Sequence, residues 1–271
     1  MKKFDDDTFI TVVIMTCYLQ CGINALVCYR ASHNKTLINN LMALWQKHCR
    51  CKVNSFKKYA KSLRTLVIIS IICYVLVVLC LVGFTSYLFF ADIDDSLQHT
   101  KEVFLTPFKN PHPVLKGFLV VLQAHLAGIW ILPVLFFALV CRINKYMLAD
   151  TSDIVQKDLR LQTHQYLGDL EAVRLHNEAA FDMVECADEI FSLFVALGLA
   201  TDIPLACLSL YMMISPDTQS DFLMIFNSFL LVLFTVHMMV ILWEAAKVNL
   251  QVSCFNCYRY YLLYNIHRLF Y

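Results

Sequence analysis

From Thr65 to Ala91 the chain carries no charged residue, and Ile, Leu, Val and Phe fill most of the run. As a helix rising about 1.5 Å per residue, such a run outreaches the ~30 Å hydrocarbon core of a bilayer. A soluble fold has no means of hiding it. Roughly a quarter of the residues in a soluble domain are charged, whereas this chain is 16% charged and 59% hydrophobic. Only six Gly and six Pro occur, which favours helices over a turn-rich β architecture.

Four more stretches join residues 66–91 as apolar segments long enough to cross a bilayer: 9–29, 117–141, 190–214 and 222–243. The first is not a cleavable signal peptide, because it is too long, acids precede it and no small-residue cleavage site follows. The expected fold class is therefore all-α: a polytopic membrane helical bundle with five spans. No internal repeat, low-complexity tract or flexible linker interrupts it, so residues 1–271 read as a single transmembrane helical domain.

Loop charge sets orientation, through an excess of Lys and Arg on the cytoplasmic side. Residues 30–65 hold nine basic residues and no acid, and the loop that begins at Arg142 carries five more. Residues 92–116 have four acids against three lysines, and residues 215–221 have two acids and no base. With the chain start outside and the end cytoplasmic, seventeen Lys and Arg fall inside and five outside. Every loop then agrees with the rule. The cysteines outside the spans, Cys49, Cys51, Cys186, Cys254 and Cys257, all fall on the reducing side and are expected as free thiols. The pairs Cys49/Cys51 and Cys254/Cys257 suit joint zinc ligation or, alternatively, inert or S-acylated juxtamembrane positions. The sequon Asn34-Lys35-Thr36 lies in the basic inner loop and should stay unmodified.

Between the spans, Leu37, Leu41 and Leu44 with Trp45 describe a short amphipathic helix at the interface, where basic residues attract anionic membrane lipid. Residues 142–189 read as a cytosolic helical extension of spans three and four. Glu178, Asp182, Glu185 and Glu189 share one helical face, while Ala180, Met183, Val184, Ala187 and Phe191 line the other. Four carboxylates on one face invite a di-metal reading, but such sites use Glu-x-x-His pairs. Here Arg174 follows Glu171, Asp188 follows Glu185, and His176 lies on no matching turn. A solvated acidic face is the simpler account. No Gly-rich phosphate loop, nucleophile elbow or HExxH is present. Neither an enzyme, nor a cofactor, nor a nucleic-acid partner is expected.

Polar residues within spans are costly and should face protein or a water-filled cavity. They are Gln20, Asn24, Gln123, His125, Asp202, Asn227 and His237. Asp202 lies near the middle of span four, two residues before Pro204, and span three carries Pro133. A functional or packing-defining role is expected for Asp202, with His125 as candidate partner.

At this point the chain resembles the insect-type chemoreceptor superfamily, in particular gustatory-receptor-like proteins. The resemblance rests on the basic inner loop, the two extended helices, and a run from Leu159-Arg160 through Arg174-Leu175-His176-Asn177 to Asp188-Glu189-Ile190-Phe191-Ser192. It implies a ligand-gated cation channel subunit of the plasma membrane, assembled as a homo- or hetero-tetramer and detecting an extracellular small molecule. The five spans would correspond to the family's second to sixth. The family's last, pore-lining helix ends in a Thr-Tyr…Gln-Phe type motif that "FNCYRYYLLYNIHRLFY" lacks, so no pore residue carries over and the chain is expected to be an incomplete or divergent member. By the same resemblance the ligand candidates are Gln123, His125, Asp202 and Tyr211. The alternatives are a fragment of a G-protein-coupled receptor and a non-signalling scaffold. Against the former, span three ends Val140-Cys141-Arg142 without an acid-Arg-Tyr trio, and no Asn-Pro-x-x-Tyr occurs.

Overall fold

Helices dominate because little in the sequence interrupts them. In the computed structural model, residues 6–33, 39–43, 45–46, 53–90, 101, 112–160, 166–214 and 221–270 are described. They contain five long helices: α1 Asp6–His33, α2 Val53–Phe90, α3 Pro113–Arg160, α4 Tyr166–Ile214 and α5 Asp221–Phe270. No strand occurs among the described residues. The pairs Cys49/Cys51, the sequon at Asn34, Leu37, Leu44, His176 and Cys257 lie outside the residues or side chains described. Cys186 and Cys254 are free thiols.

The start of α3 follows from its sequence. Pro113 takes the first helical position, where its missing N–H and fixed φ are no handicap. His112 precedes it and its carbonyl accepts from Leu115 N at 2.8 Å. Its ring Nδ1 accepts from Val114 N at 3.4 Å, which occupies an otherwise orphaned donor. Pro133 and Pro204 sit inside α3 and α4 without ending them. Transmembrane helices tolerate interior proline because neighbouring groups take up the freed backbone.

Each of the five expected spans falls on one helix long and apolar enough to cross a membrane. In the most apolar of these, Tyr59–Phe90 in α2, residues 66–83 include no buried residue. Ile68, Ile72, Leu76 and Leu79 are all exposed. In water each would forfeit about 1.5–3 kcal/mol relative to burial; in lipid that penalty vanishes. The helices also outgrow the bilayer. α3 and α4 have 48 and 49 residues, about 72 Å or more each, against a ~30 Å core. α5 does the same with 50 residues. The expected span 222–243 covers less than half of this helix. The helix continues because residues 244–270 contain neither Gly nor Pro.

The chain packs as two compact units. Unit 1 comprises Met1–Tyr29, Ile69–Leu135 and Phe194–Met239; unit 2 comprises Arg30–Ile68, Phe136–Leu193 and Val240–Tyr271. In unit 1 the core joins Cys21, Trp130, Ile131, Leu205, Leu230 and Phe234. A second cluster holds Phe84, Leu88 and Phe89, with Phe84 stacked on Phe226 at 3.5 Å between centroids. Gly128 of α3 permits a close approach, since a Cβ there would stand 3.2 Å from the Tyr74 hydroxyl of α2.

In unit 2, Phe191 packs against Phe136 and Phe137 at 5.6 and 5.3 Å. Tyr59 stacks on Tyr146 at 4.3 Å and donates to Asp150 Oδ1 at 3.0 Å, while Ser62 and Tyr146 share a hydrogen bond of 2.8 Å. The two-faced pattern expected for α4 is present. Glu178, Asp182, Glu185 and Glu189 are exposed, and Ala180, Met183 and Phe191 are buried. Leu41, in the short segment 39–46, is buried too.

Candidate functional site

Asp202 is the structural centre of unit 1. It is 1% exposed, on α4, and both of its carboxylate oxygens are engaged. Gln20 Nε2 of α1 donates to Oδ1 at 2.8 Å, and His237 Nδ1 of α5 meets Oδ2 at 2.5 Å. Both oxygens thus hold a neighbour on another helix, the Gln20 amide donating to Oδ1 and the imidazole nitrogen sharing a hydrogen bond with Oδ2. Trp130 of α3 stacks on the His237 ring, with centroids 4.6 Å apart and planes 15° from parallel. Four helices thus meet at one acid.

More polar atoms lie buried in unit 1 than these bonds use. Gln20 Oε1, Asn24 Nδ2, Trp130 Nε1, Ser209 Oγ, Asn227 Nδ2 and His237 Nε2 have no hydrogen-bond partner among the described residues. Each unmet buried group costs of the order of 1–3 kcal/mol.

Beside this cluster lies a cavity of about 150 Å³. Its walls are almost wholly apolar and come from α1, α2, α3, α4 and α5, with Tyr18, Phe84, Trp130, Phe226 and Phe234 as its aromatic lining. Gln20, Gln123 and Asn227 are the amides on its walls. Gln123 Nε2 donates to the Tyr18 hydroxyl at 2.7 Å, tying α3 to α1. Gln20 therefore belongs to both features: it lines the cavity and holds Asp202.

The candidates named from sequence separate on this map. Gln123 lines the cavity, and Asp202 stands one side chain behind it, through Gln20. His125 is exposed, so it neither lines the cavity nor reaches Asp202. The partner expected for Asp202 is corrected accordingly: His237 and Gln20 take that place. The physical reason is helical phase, since His125 lies two residues beyond Gln123 and so on a different face of α3. Tyr211 is 54% exposed and does not line the cavity. Of the seven polar residues flagged within spans, His125 alone is exposed.

Sequence reasoning missed Glu244, which directly follows the expected end of span five. It is buried and belongs to unit 2. Lys247 Nζ approaches its Oε1 at 3.0 Å, and Arg142 Nη2 approaches the same oxygen at 3.3 Å. Lys247 also lies 4.9 Å from the Trp243 ring centroid. The available signal was Glu244-x-x-Lys247, an acid one turn before a base at the end of an apolar run.

Among protein-family models, curated proteins and solved structures, none matches this chain.

Proposed function

We propose that this chain is a chemosensory receptor subunit of the gustatory type, embedded in the plasma membrane and taking a small neutral molecule into the cavity of unit 1. That cavity carries the reading. A dry apolar space of 150 Å³ accepts a benzene ring, and the cavity here has a similar volume of about 150 Å³. Aromatic walls favour a compact ring-sized molecule. Among the described residues no Asp, Glu, Lys or Arg lines it, which disfavours an ionic ligand. The resemblance of the Leu159-Arg160 to Ser192 run extends the proposal to a ligand-gated cation channel assembled as a tetramer.

Loop charge supports the orientation. The seventeen Lys and Arg assigned to the inside all fall in unit 2, and the five assigned outside all fall in unit 1. On this reading unit 2 faces the cytoplasm, the extended ends of α3 and α4 are cytosolic, and the ligand enters from outside. Epitope tags settle the orientation: an amino-terminal tag should be reached by antibody on intact cells, and a carboxy-terminal tag only after permeabilisation. The reverse pattern overturns it.

Binding is testable in detergent with benzyl alcohol, indole and glucose as probes. One of the two ring compounds should raise the melting temperature, and glucose should not. At a hundred times its Kd a ligand stabilises by about 2.7 kcal/mol. Val13→Trp, which fills the cavity from α1, should abolish the shift while leaving the unliganded melt close to wild type. If neither ring compound stabilises the wild type, the cavity is not a site for this class. Binding without an evoked cation current in cells removes the channel assignment and leaves a binding protein.

A further inference from the structure

We infer that unit 2 holds a site for an anionic phospholipid, with one acyl chain in an apolar groove and the phosphate on Arg64. The groove has a volume of about 250 Å³. Leu41, Met42 and Trp45 line it together with Arg64 of α2, Ile143 of α3 and Met183 of α4. Among the described residues Arg64 supplies the one charged side chain in the lining. An arginine beside an apolar channel lays its alkyl stem along it and carries the guanidinium to the rim. The geometry matches a glycerophospholipid, whose apolar chain begins next to a charged phosphate.

Charge selects the headgroup. Arg64 is exposed, as is Lys61 one turn earlier on α2. Neither forms an ion pair with a described residue. Residues 30–65, which supply both, contain nine bases and no acid. A planar guanidinium binds a phosphate through two parallel hydrogen bonds. A zwitterionic lipid would fill the groove but leave the second cation, Lys61, without a counter-charge. A soluble phosphate would satisfy Arg64 but leave the groove unfilled. Trp45 at the groove suits the headgroup level, where tryptophan concentrates. The inference rests on the chain being embedded in lipid and not on the receptor reading.

The test uses the full chain in detergent, mixed with equimolar phosphatidylserine and phosphatidylcholine of identical acyl chains. Native mass spectrometry then counts the lipids retained. Wild type should retain phosphatidylserine about five-fold over phosphatidylcholine, the equivalent of the ~1 kcal/mol that one basic residue contributes near an anionic surface. Lys61→Gln should bring the two lipids to parity without loss of chain binding, and Arg64→Gln should lower retention of both. Ala60→Phe, which intrudes on the groove, should lower retention of both. Equal retention by wild type, an undiminished preference in Lys61→Gln, or unchanged retention in Arg64→Gln or Ala60→Phe each overturns the site. Because the measurement needs neither a stimulus nor a membrane orientation, its failure is distinguishable from failure of the proposed function.

Discussion

Asp202→Ala is expected to destabilise the protein by about 3–5 kcal/mol, the usual cost of breaking a buried charged pair from one side. The substitution strands Gln20 Nε2, which donates to Oδ1, and His237 Nδ1, which shares a hydrogen bond with Oδ2. A neutral interhelical hydrogen bond in a membrane is worth much less, about 0.6 kcal/mol on average. The two magnitudes separate two accounts of the same geometry. Asp202→Asn keeps an acceptor for His237 while removing the charge. If it costs several kcal/mol in a reversible unfolding titration, the pair is ionic; if it costs under about 1 kcal/mol, hydrogen bonding alone holds the helices. A third arm completes the test. Asp202→Leu with His237→Phe removes both partners and preserves a ring for Trp130 to stack on. It should recover most of the loss, since an apolar pair of similar volume often matches a buried ion pair.

The second large effect is expected at Trp130. Trp130→Ala removes the stack on His237, the edge contact with Phe234 at 5.6 Å, and part of the cavity wall. Aromatic-to-alanine changes in cores cost about 3–5 kcal/mol. Trp130→Phe should cost appreciably less, because a ring remains. A double-mutant cycle with His237→Ala should return a coupling in the range of about 0.5–3 kcal/mol expected for residues in contact. Strict additivity would mean that the indole does not position the imidazole, and the link between cavity and acid would then rest on Gln20 alone.

These two predictions show where the sequence was informative and where it stopped. Gln20 and His125 carry the same signal, a polar side chain within an apolar run. One is 2% exposed and the other faces outward. Span three is apolar on nearly every side, so hydropathy has no phase from which to tell which face meets protein. The α4 acids were different. Glu178, Asp182, Glu185 and Glu189 recur at helical spacing beside an apolar face, and that contrast fixed their exposure before any packing was known. Glu244 was lost because a charge next to Trp243 looks like the edge of a span. Its burial depends on Arg142, more than a hundred residues earlier in the chain.

The sequence by itself determined five helices long and apolar enough to cross a membrane, the helical class, the alternation of basic and acidic loops, and the exposed acidic face of α4. All of these are local or periodic properties, set by transfer of apolar groups to lipid and by the 3.6-residue turn. Only the tertiary structure decided which polar groups meet. It joined Asp202 to Gln20 across 182 residues, turned His125 out, and formed a cavity beside the join. Such pairings depend on the rotation of each helix about its own axis, which a uniformly apolar surface leaves open and which side-chain packing between helices fixes.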